Sequence, residues 1–219
     1  MNKNSTSNGD GAIVPKAVVS RMSLYLRELQ QLIREEIETI SSKKLGRLLG
    51  ITDAQVRKDF AYFGQFGYPG IGYRCEELVD EIRQILGTDR IWPAALIGIG
   101  NLGQALLGYR GFQAQGFSVK AAFDVDESIV GQEICGLTVH HIEQMSKIVE
   151  ENAIQLAILA VPPEAAVQVI ENIVKSGISG VLNFAPVTLN LPKSVSVVEV
   201  DLAMELEQLA FAVVSKTDK

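Results

Sequence analysis

Ala94-Ala95-Leu96-Ile97-Gly98-Ile99-Gly100-Asn101-Leu102-Gly103 is the stretch on which the reading of this chain turns. An apolar run ends in Gly98-x-Gly100-x-x-Gly103 and continues into the helix formers Gln104 to Leu107. Strand, tight glycine turn and helix, in that order, are the setting in which three glycines at this spacing bind a dinucleotide. Gly98 makes the turn, Gly100 lets the backbone approach a pyrophosphate, and Gly103 lets the helix pack on the strand. The loop of Gly98, Ile99, Gly100, Asn101, Leu102 and Gly103 then offers helix-start N–H groups and a positive dipole end to the phosphates.

Downstream, Ser118 to Phe123 reads as a second strand ending at Asp124, 21 residues after Gly103. That is where an acidic side chain is expected to bond the ribose 2′-hydroxyl. A carboxylate there repels a 2′-phosphate, which favours NAD(H) over NADP(H). The bland alternative is a tight turn with Asp124 as a strand-end cap. Strand and helix then alternate as a doubly wound parallel sheet requires. Gln155 to Val161 is an apolar strand broken by Pro162-Pro163, Glu164 to Lys175 a helix, Gly180 to Phe184 a strand and Ser194 to Val200 the last strand. A short strand is expected at Leu137-Thr138-Val139 and a helix over His141 to Glu151. The strand ends Ala160, Val161 and Pro162, and Asn183, Phe184 and Ala185, are expected along the cofactor crevice.

Upstream, residues 1–13 have the composition of a disordered tail. A helix starts at Pro15, with Val18, Met22, Tyr25, Leu29 and Leu32 on one stripe. A second, short helix is framed by Ser41 or Ser42 and Gly50. Thr52-Asp53-Ala54-Gln55 reads as a capping box that opens a third helix, which runs to about Phe63. Val56, Phe60 and Phe63 share its inner face, and Lys58, Ala54 and Ala61 face outward, flanked by Gln55, Arg57 and Tyr62. A short helix, a tight turn and a second helix with a slim polar outer face describe a helix-turn-helix. Gln65 to Arg74, with aromatics among glycines around Pro69-Gly70, reads as the β-hairpin of a winged helix. The candidate DNA contacts are Lys43, Lys44, Arg47, Gln55, Arg57, Lys58, Tyr62, Tyr68, Tyr73 and Arg74. Gln55 is suited to adenine and the cations to guanine edges or phosphates. The alternatives are a solvated cationic helix and an ordinary glycine-rich loop. Cys75 to Leu86 forms a further helix.

The 219 residues carry a net charge of −6, which taken globally argues against nucleic acid. The distribution argues otherwise: residues 1–90 hold 13 Lys/Arg against 12 Asp/Glu, and residues 91–219 hold 7 against 14. Six cations stand against two acids between 41 and 74, so an acidic body bears one basic segment. Cys75 and Cys135 make neither a disulfide framework nor a metal spacing, and His140 and His141 complete no zinc site. With no apolar run of spanning length and a polar beginning, a cytoplasmic protein without membrane contact is expected. The expected organisation is a tail over 1–13, a winged-helix domain over 14–88, a Rossmann-type NAD(H) domain over 89–200 and a terminal helix over 201–219. That helix carries Leu202, Leu206, Leu209 and Val213 on one stripe, widened by Ala203, Ala210 and Val214. Folding back on its own domain or docking on a second subunit would each hide such a surface.

Gln55-Val56-Arg57-Lys58-Asp59-Phe60, Phe63-Gly64-Gln65-Phe66-Gly67 and Gly70-Ile71-Gly72-Tyr73 resemble the winged-helix segment of the Rex family of redox-sensing repressors. Gly98 to Gly103, Phe123-Asp124-Val125-Asp126, Leu182-Asn183-Phe184-Ala185-Pro186 and Val200-Asp201-Leu202 resemble that family's cofactor domain. The similarity runs from about Val14 to Val214. The resemblance implies a homodimeric transcriptional repressor, not an enzyme, that holds palindromic operator DNA when NADH is scarce and lets go when NADH binds. It also implies exchange of the terminal helix between subunits, and coupling of cofactor to DNA-binding heads through Arg21, Tyr109 and Asp201. The rival readings are a dehydrogenase with a helical appendage and a nucleotide- or CoA-binding scaffold without DNA. Against the first, the chain after residue 90 leaves no separate substrate domain.

Overall fold

The computed structural model describes residues 14–217, and the tail expected over 1–13 lies outside the described residues. The chain divides between Arg90 and Ile91, two residues beyond the boundary read from composition.

The first unit is a helical head. It comprises α1 (Lys16–Arg34), β1 (Thr39–Ile40), α2 (Ser42–Leu49), α3 (Asp53–Ala61), β2 (Tyr73–Arg74) and α4 (Cys75–Leu86). The α1 stripe of Val18, Met22, Tyr25, Leu29 and Leu32 is buried against Leu45 of α2, Val56 and Phe60 of α3, and Leu78 and Ile82 of α4. Gly50, left-handed at φ 69°, stops α2, and Thr52 caps α3 by accepting from the Gln55 N–H at 3.1 Å.

Two expectations change here. The segment 65–74 does not form a two-stranded hairpin: Gly67, Gly70 and Gly72 take positive φ and reverse the chain so tightly that one bridge, Tyr68 to Gly72, is left. The wing strand Tyr73–Arg74 pairs instead, antiparallel, with Thr39–Ile40. Nor is the capping box reciprocal, because the Gln55 side chain donates to Asp59 rather than back to the start of the helix.

The second unit is built on a seven-stranded sheet ordered β5-β6-β4-β3-β7-β8-β9. Its strands are β3 (Trp92–Ile97), β4 (Phe117–Asp124), β5 (Glu133–Ile134), β6 (Leu137–His141), β7 (Leu156–Leu159), β8 (Gly180–Asn183) and β9 (Ser196–Glu199). All pair in parallel except β5. The helices are α5 (Asn101–Leu107), α6 (Gly111–Ala114), α7 (Met145–Glu151), α8 (Pro163–Ser176) and α9 (Leu202–Thr217). A strand's side chains alternate between faces, so Ala95 and Ile97 of β3 join Phe123, Leu159 and the inner sides of α7 and α8. Leu96 joins Ala122, Val139 and Ile158 on the opposite face, under Leu106, Leu107 and Phe112 of α5 and α6. Both faces are covered, as a parallel sheet demands. The helix expected from His141 opens instead as a 3-10 turn over Ile142–Gln144, capped by His141.

The helix α9 does not fold back. Every side chain from Leu202 to Lys216 is exposed, including Leu206 at 67% and Phe211 at 75%. The apolar surface is wider than one stripe, because Met204 and Phe211 lie nearly opposite Leu202 at 100° per residue.

Candidate functional site

Three glycines shape the end of β3. Gly98 turns at φ 89°, and a Cβ there would stand 2.6 Å from the Ala160 carbonyl oxygen and from Val161 Cγ1. A Cβ on Gly103 would fall inside the Gly98 carbonyl oxygen, so only glycine lets α5 start this close to β3. A Cβ on Gly100 meets nothing within 4 Å. Gly98 and Gly103 therefore answer to internal packing, whereas Gly100 leaves its approach side open. The first amides of α5, those of Asn101, Leu102 and Gly103, have no intrahelical acceptors by the geometry of a helix start.

Asp124, at the end of β4, binds this loop directly. Its Oδ2 accepts the Ile99 N–H at 2.6 Å, and its Oδ1 accepts those of Val125 at 2.7 Å and Asp126 at 3.1 Å. A carboxylate offers about four acceptor positions. Three are filled by backbone, which leaves one for a donor such as a ribose hydroxyl, while the carboxylate's charge repels a second anion. An open Gly100, helix-start amides and a half-exposed carboxylate fit the adenosine diphosphate half of NAD(H).

Of the two strand-end triplets, Ala160 and Val161 are half-buried beside Gly98 and Pro162 is exposed. Asn183 cannot serve a ligand through its side chain. It is 1% exposed, its Nδ2 donates to the Val187 carbonyl at 2.9 Å, and its Oδ1 accepts the Ala185 N–H at 2.9 Å. Its side chain shapes the 183–187 turn, because a buried amide must satisfy both ends. Ala185 is buried and Phe184 is half-buried against the α5 face of the sheet. Tyr109 is 58% exposed with its ring edge-on to Phe112, and Asp201 caps α9 by accepting from Ala203 and Met204.

In the head, α2 and α3 cross tightly because residue 46 is glycine. A Cβ there would stand 2.6 Å from the Ile51 carbonyl oxygen and 3.3 Å from the Asp53 nitrogen. Lys43, Lys44 and Arg47 on α2 and Arg57, Lys58 and Tyr62 on and after α3 are exposed, as are Ala54 and Ala61. Arg57 also holds Asp53 at 2.8 Å and the Ser42 hydroxyl at 3.1 Å, pinning α3 to the start of α2. An open trough of about 660 Å³ runs between Ser41, Arg57 and Ala61 on one side and the wing residues 64–73 on the other. On the wing, the Tyr68 hydroxyl and Arg74 both bond Glu77, and the Arg74 guanidinium lies 5.1 Å over the Tyr68 ring.

Tyr73 departs from expectation: it is 8% exposed, with its ring edge-on to Phe60 at 5.2 Å, so it belongs to the core and not to a DNA-facing surface. Gln55 is half-buried and bonds Asp59.

Asp59 is the residue that sequence reasoning passed over. It is fully buried and accepts Arg21 Nε at 2.5 Å, Arg21 Nη2 at 2.7 Å, the Tyr25 hydroxyl at 2.7 Å and Gln55 Nε2 at 2.7 Å. Burial pushes its carboxyl up, but the hydrogen bonds from Arg21, Tyr25 and Gln55 outweigh burial and hold it below the usual carboxylate range. Burial and the bond to Asp59 push the Tyr25 hydroxyl up. The signal was available, since an acid sat among Val56, Phe60 and Phe63 on the inner face of α3. Arg21, expected only as a coupling residue, is the cation that answers it.

Among the described residues no helix is long and apolar enough to cross a membrane, and no group of three His, Cys, Asp or Glu is placed to hold a metal ion. Family models described as "CoA binding domain" and "Putative DNA-binding protein N-terminus" match residues 89–187 and 13–61. The redox-sensing transcriptional repressor Rex of Carboxydothermus hydrogenoformans is 44% identical over 92% of this chain and 97% of its own. That of Streptomyces coelicolor is 42% identical over 90% and 77%. Among solved structures, RSP in complex with NAD⁺ and operator DNA covers 94% of this chain and 95% of its own, at 33% identity and a TM-score of 0.89. RSP in complex with NADH matches at 32% identity, 94% and 97% coverage and a TM-score of 0.85.

Proposed function

The chain belongs to the Rex family of redox-sensing transcriptional repressors, and we propose that it binds operator DNA through α2 and α3 and releases it when NADH occupies the glycine crevice. One observation carries this reading: a cationic helix-turn-helix and a glycine crevice closed by Asp124 stand in one chain whose relatives across its length are redox-sensing repressors. It is a regulator and not an enzyme.

Lys43, Lys44, Arg47, Arg57 and Lys58 would meet phosphates and groove edges, and their charge would make binding fall steeply with salt. Tyr62, Tyr68 and Arg74 flank that surface. The crevice would take the adenine half through the Gly98–Gly103 loop and Asp124, and Ala160 to Pro162 with the backbone at 183–185 would border it further along. The bound nucleotide supplies a nicotinamide that is charged when oxidised and neutral when reduced. The glycine loop and Asp124 face the half that both forms share, so neither residue set distinguishes them. A ligand moves an equilibrium only by its differential affinity for two states, and inverting 1:99 to 99:1 takes about 5.5 kcal/mol.

The exposed apolar surface of α9 supports a homodimer in which that helix packs on the second copy, which would also present two heads to a palindrome. Arg21, Tyr109 and Asp201 are proposed to couple crevice and heads. Arg21 has a carboxylate partner already, Asp59, so any coupling through Asp201 is a competition for one guanidinium.

Fluorescence anisotropy on a pool of palindromic duplexes, at fixed salt, tests the reading. Tight binding abolished by NADH but not by NAD⁺ is expected. Binding indifferent to both nucleotides would refute the sensing half, and absence of DNA binding would refute the whole.

A further inference from the structure

Asp59 is a buried charge on the helix proposed to read DNA, and its fourth bond reaches toward the DNA-facing side. Its Oδ1 accepts from Gln55 Nε2 at 2.7 Å, one helical turn earlier, while Arg21 and Tyr25 of α1 occupy the rest of the carboxylate. An ionised carboxylate only accepts hydrogen bonds. It therefore dictates which end of the Gln55 amide faces inward: the nitrogen is held and the carbonyl oxygen is repelled. An amide nitrogen carries two N–H groups, and one is spent on Asp59. What remains is one N–H beside one carbonyl oxygen, the donor and acceptor pair that adenine N7 and its N6 amino group require. A glutamine free of such a neighbour can turn its amide over and present the pair reversed. Arg21, gripping the same carboxylate with two nitrogens, keeps Asp59 ionised and ties the arrangement to α1.

We propose that Asp59 is the positioning residue that sets the base preference of α3, by fixing the Gln55 amide in the orientation that reads adenine. The inference rests on α3 being the helix that enters DNA. The plainer role for Asp59 is to pin α1 to α3, and the two roles predict different data. A pin alone would lower affinity for every sequence alike, whereas an orienting carboxylate changes the preference at one base pair.

The test is selection from duplexes with randomised half-sites, using the full chain as wild type, Asp59→Asn, Gln55→Ala and Tyr25→Phe, with a thermal melt of each. The wild type is expected to prefer adenine about tenfold at one position of each half-site. Gln55→Ala and Asp59→Asn are expected to flatten that position and leave the others unchanged, because an asparagine at 59 can turn its own amide, either accepting from the Gln55 nitrogen or donating to the Gln55 carbonyl oxygen. Tyr25→Phe removes a bond from Asp59 without touching Gln55 and is expected to keep the preference. Uniform weakening by Asp59→Asn across all sequences, with the adenine preference intact, would overturn the inference. Should Asp59→Asn not fold, the side-chain amide resonances of Gln55 in the wild type decide. One N–H bonded to the carboxylate in both free and DNA-bound protein supports the inference, and loss of that bond on DNA overturns it. Wild-type binding without any Gln55-dependent adenine preference overturns the inference alone, and no DNA binding at all overturns the operator reading with it.

Discussion

Replacing Arg21 by alanine should destabilise the head by about 3 kcal/mol at neutral pH, and most of that loss should vanish in acid. The Asp59 carboxylate is fully buried, and Arg21 supplies two of its four hydrogen bonds and its only formal countercharge among them. Removing one partner of a buried pair costs about 3–5 kcal/mol, because a charge is left uncompensated. The Arg21 side chain is 24% exposed, so water can partly replace it, which places the expectation at the lower end. The pH dependence has a definite sign. In the wild type the folded Asp59 carboxyl is held below its unfolded value, so its contribution is present above that value and is lost as pH falls through the depressed one. Without Arg21, burial pushes the carboxyl up against only Tyr25 and Gln55, and the variant takes up its proton earlier on acidification. A protonated Asp59 is no longer a buried charge. The deficit of Arg21→Ala should therefore be full near neutrality and shrink as pH falls through the carboxylate range. Urea unfolding followed in the tyrosine band of the near-ultraviolet dichroism suits the measurement, since Tyr25, Tyr62, Tyr68 and Tyr73 lie in the head and only Tyr109 in the second unit. A deficit that stays constant from neutral to acid pH would mean that only the packing of the arginine stem was lost, and the electrostatic account of Asp59 would be wrong.

Gly100→Ala and Gly103→Ala separate binding from folding. A methyl at 100 enters open space and should leave the melting temperature near wild type while nucleotide affinity, by calorimetry, falls at least about tenfold. A methyl at 103 strikes the Gly98 carbonyl and should lower both. Leu206→Glu with Phe211→Glu puts charge on two sides of α9; if that helix pairs two copies as proposed, sedimentation velocity is expected to find dimers of the parent chain and monomers of the variant. Ala153, held at φ 49° after α7, should accept glycine with a gain of about 0.5 kcal/mol in thermal unfolding, since relief of the left-handed strain outweighs the entropy of glycine.

The parts of this molecule legible in its sequence are those fixed by local chemistry. The glycines at 98, 100 and 103 carry their steric reasons in their spacing, and Ser41, Gly50 and Thr52 mark helix ends by hydrogen bonds within three residues. The strands of the parallel sheet stand out because burial on both faces leaves continuous apolar runs. What stayed hidden depends on distant partners. Thr39–Ile40 and Tyr73–Arg74 are too short for any period to register, and their pairing spans the whole helix-turn-helix. Tyr73 looked like a surface aromatic in a glycine-rich loop until Phe60 took its ring. Gln55 looked like half of a capping box, but a buried carboxylate one turn later is a stronger acceptor for its amide than the helix start is a donor in need of it. Asn183 looked like a ligand contact because it ends a strand beside the crevice, yet its own turn uses both of its groups.

The hydrophobic clusters of the two units share no residue: one lies among α1 to α4 and the other two lie on opposite faces of the sheet. A ligand stabilises the unit that binds it by mass action, in proportion to the logarithm of its concentration over its dissociation constant. Nucleotide in the glycine crevice thus adds its free energy first to the unit whose residues it touches. Damaging substitutions in the sensing half are cushioned by whatever nucleotide the cell contains, while those in the DNA-reading half are cushioned only while DNA is bound and otherwise rest on Asp59, Arg21 and a small helical core. Tolerance to mutation should differ between the halves for that reason, with the head the more fragile whenever it is off DNA.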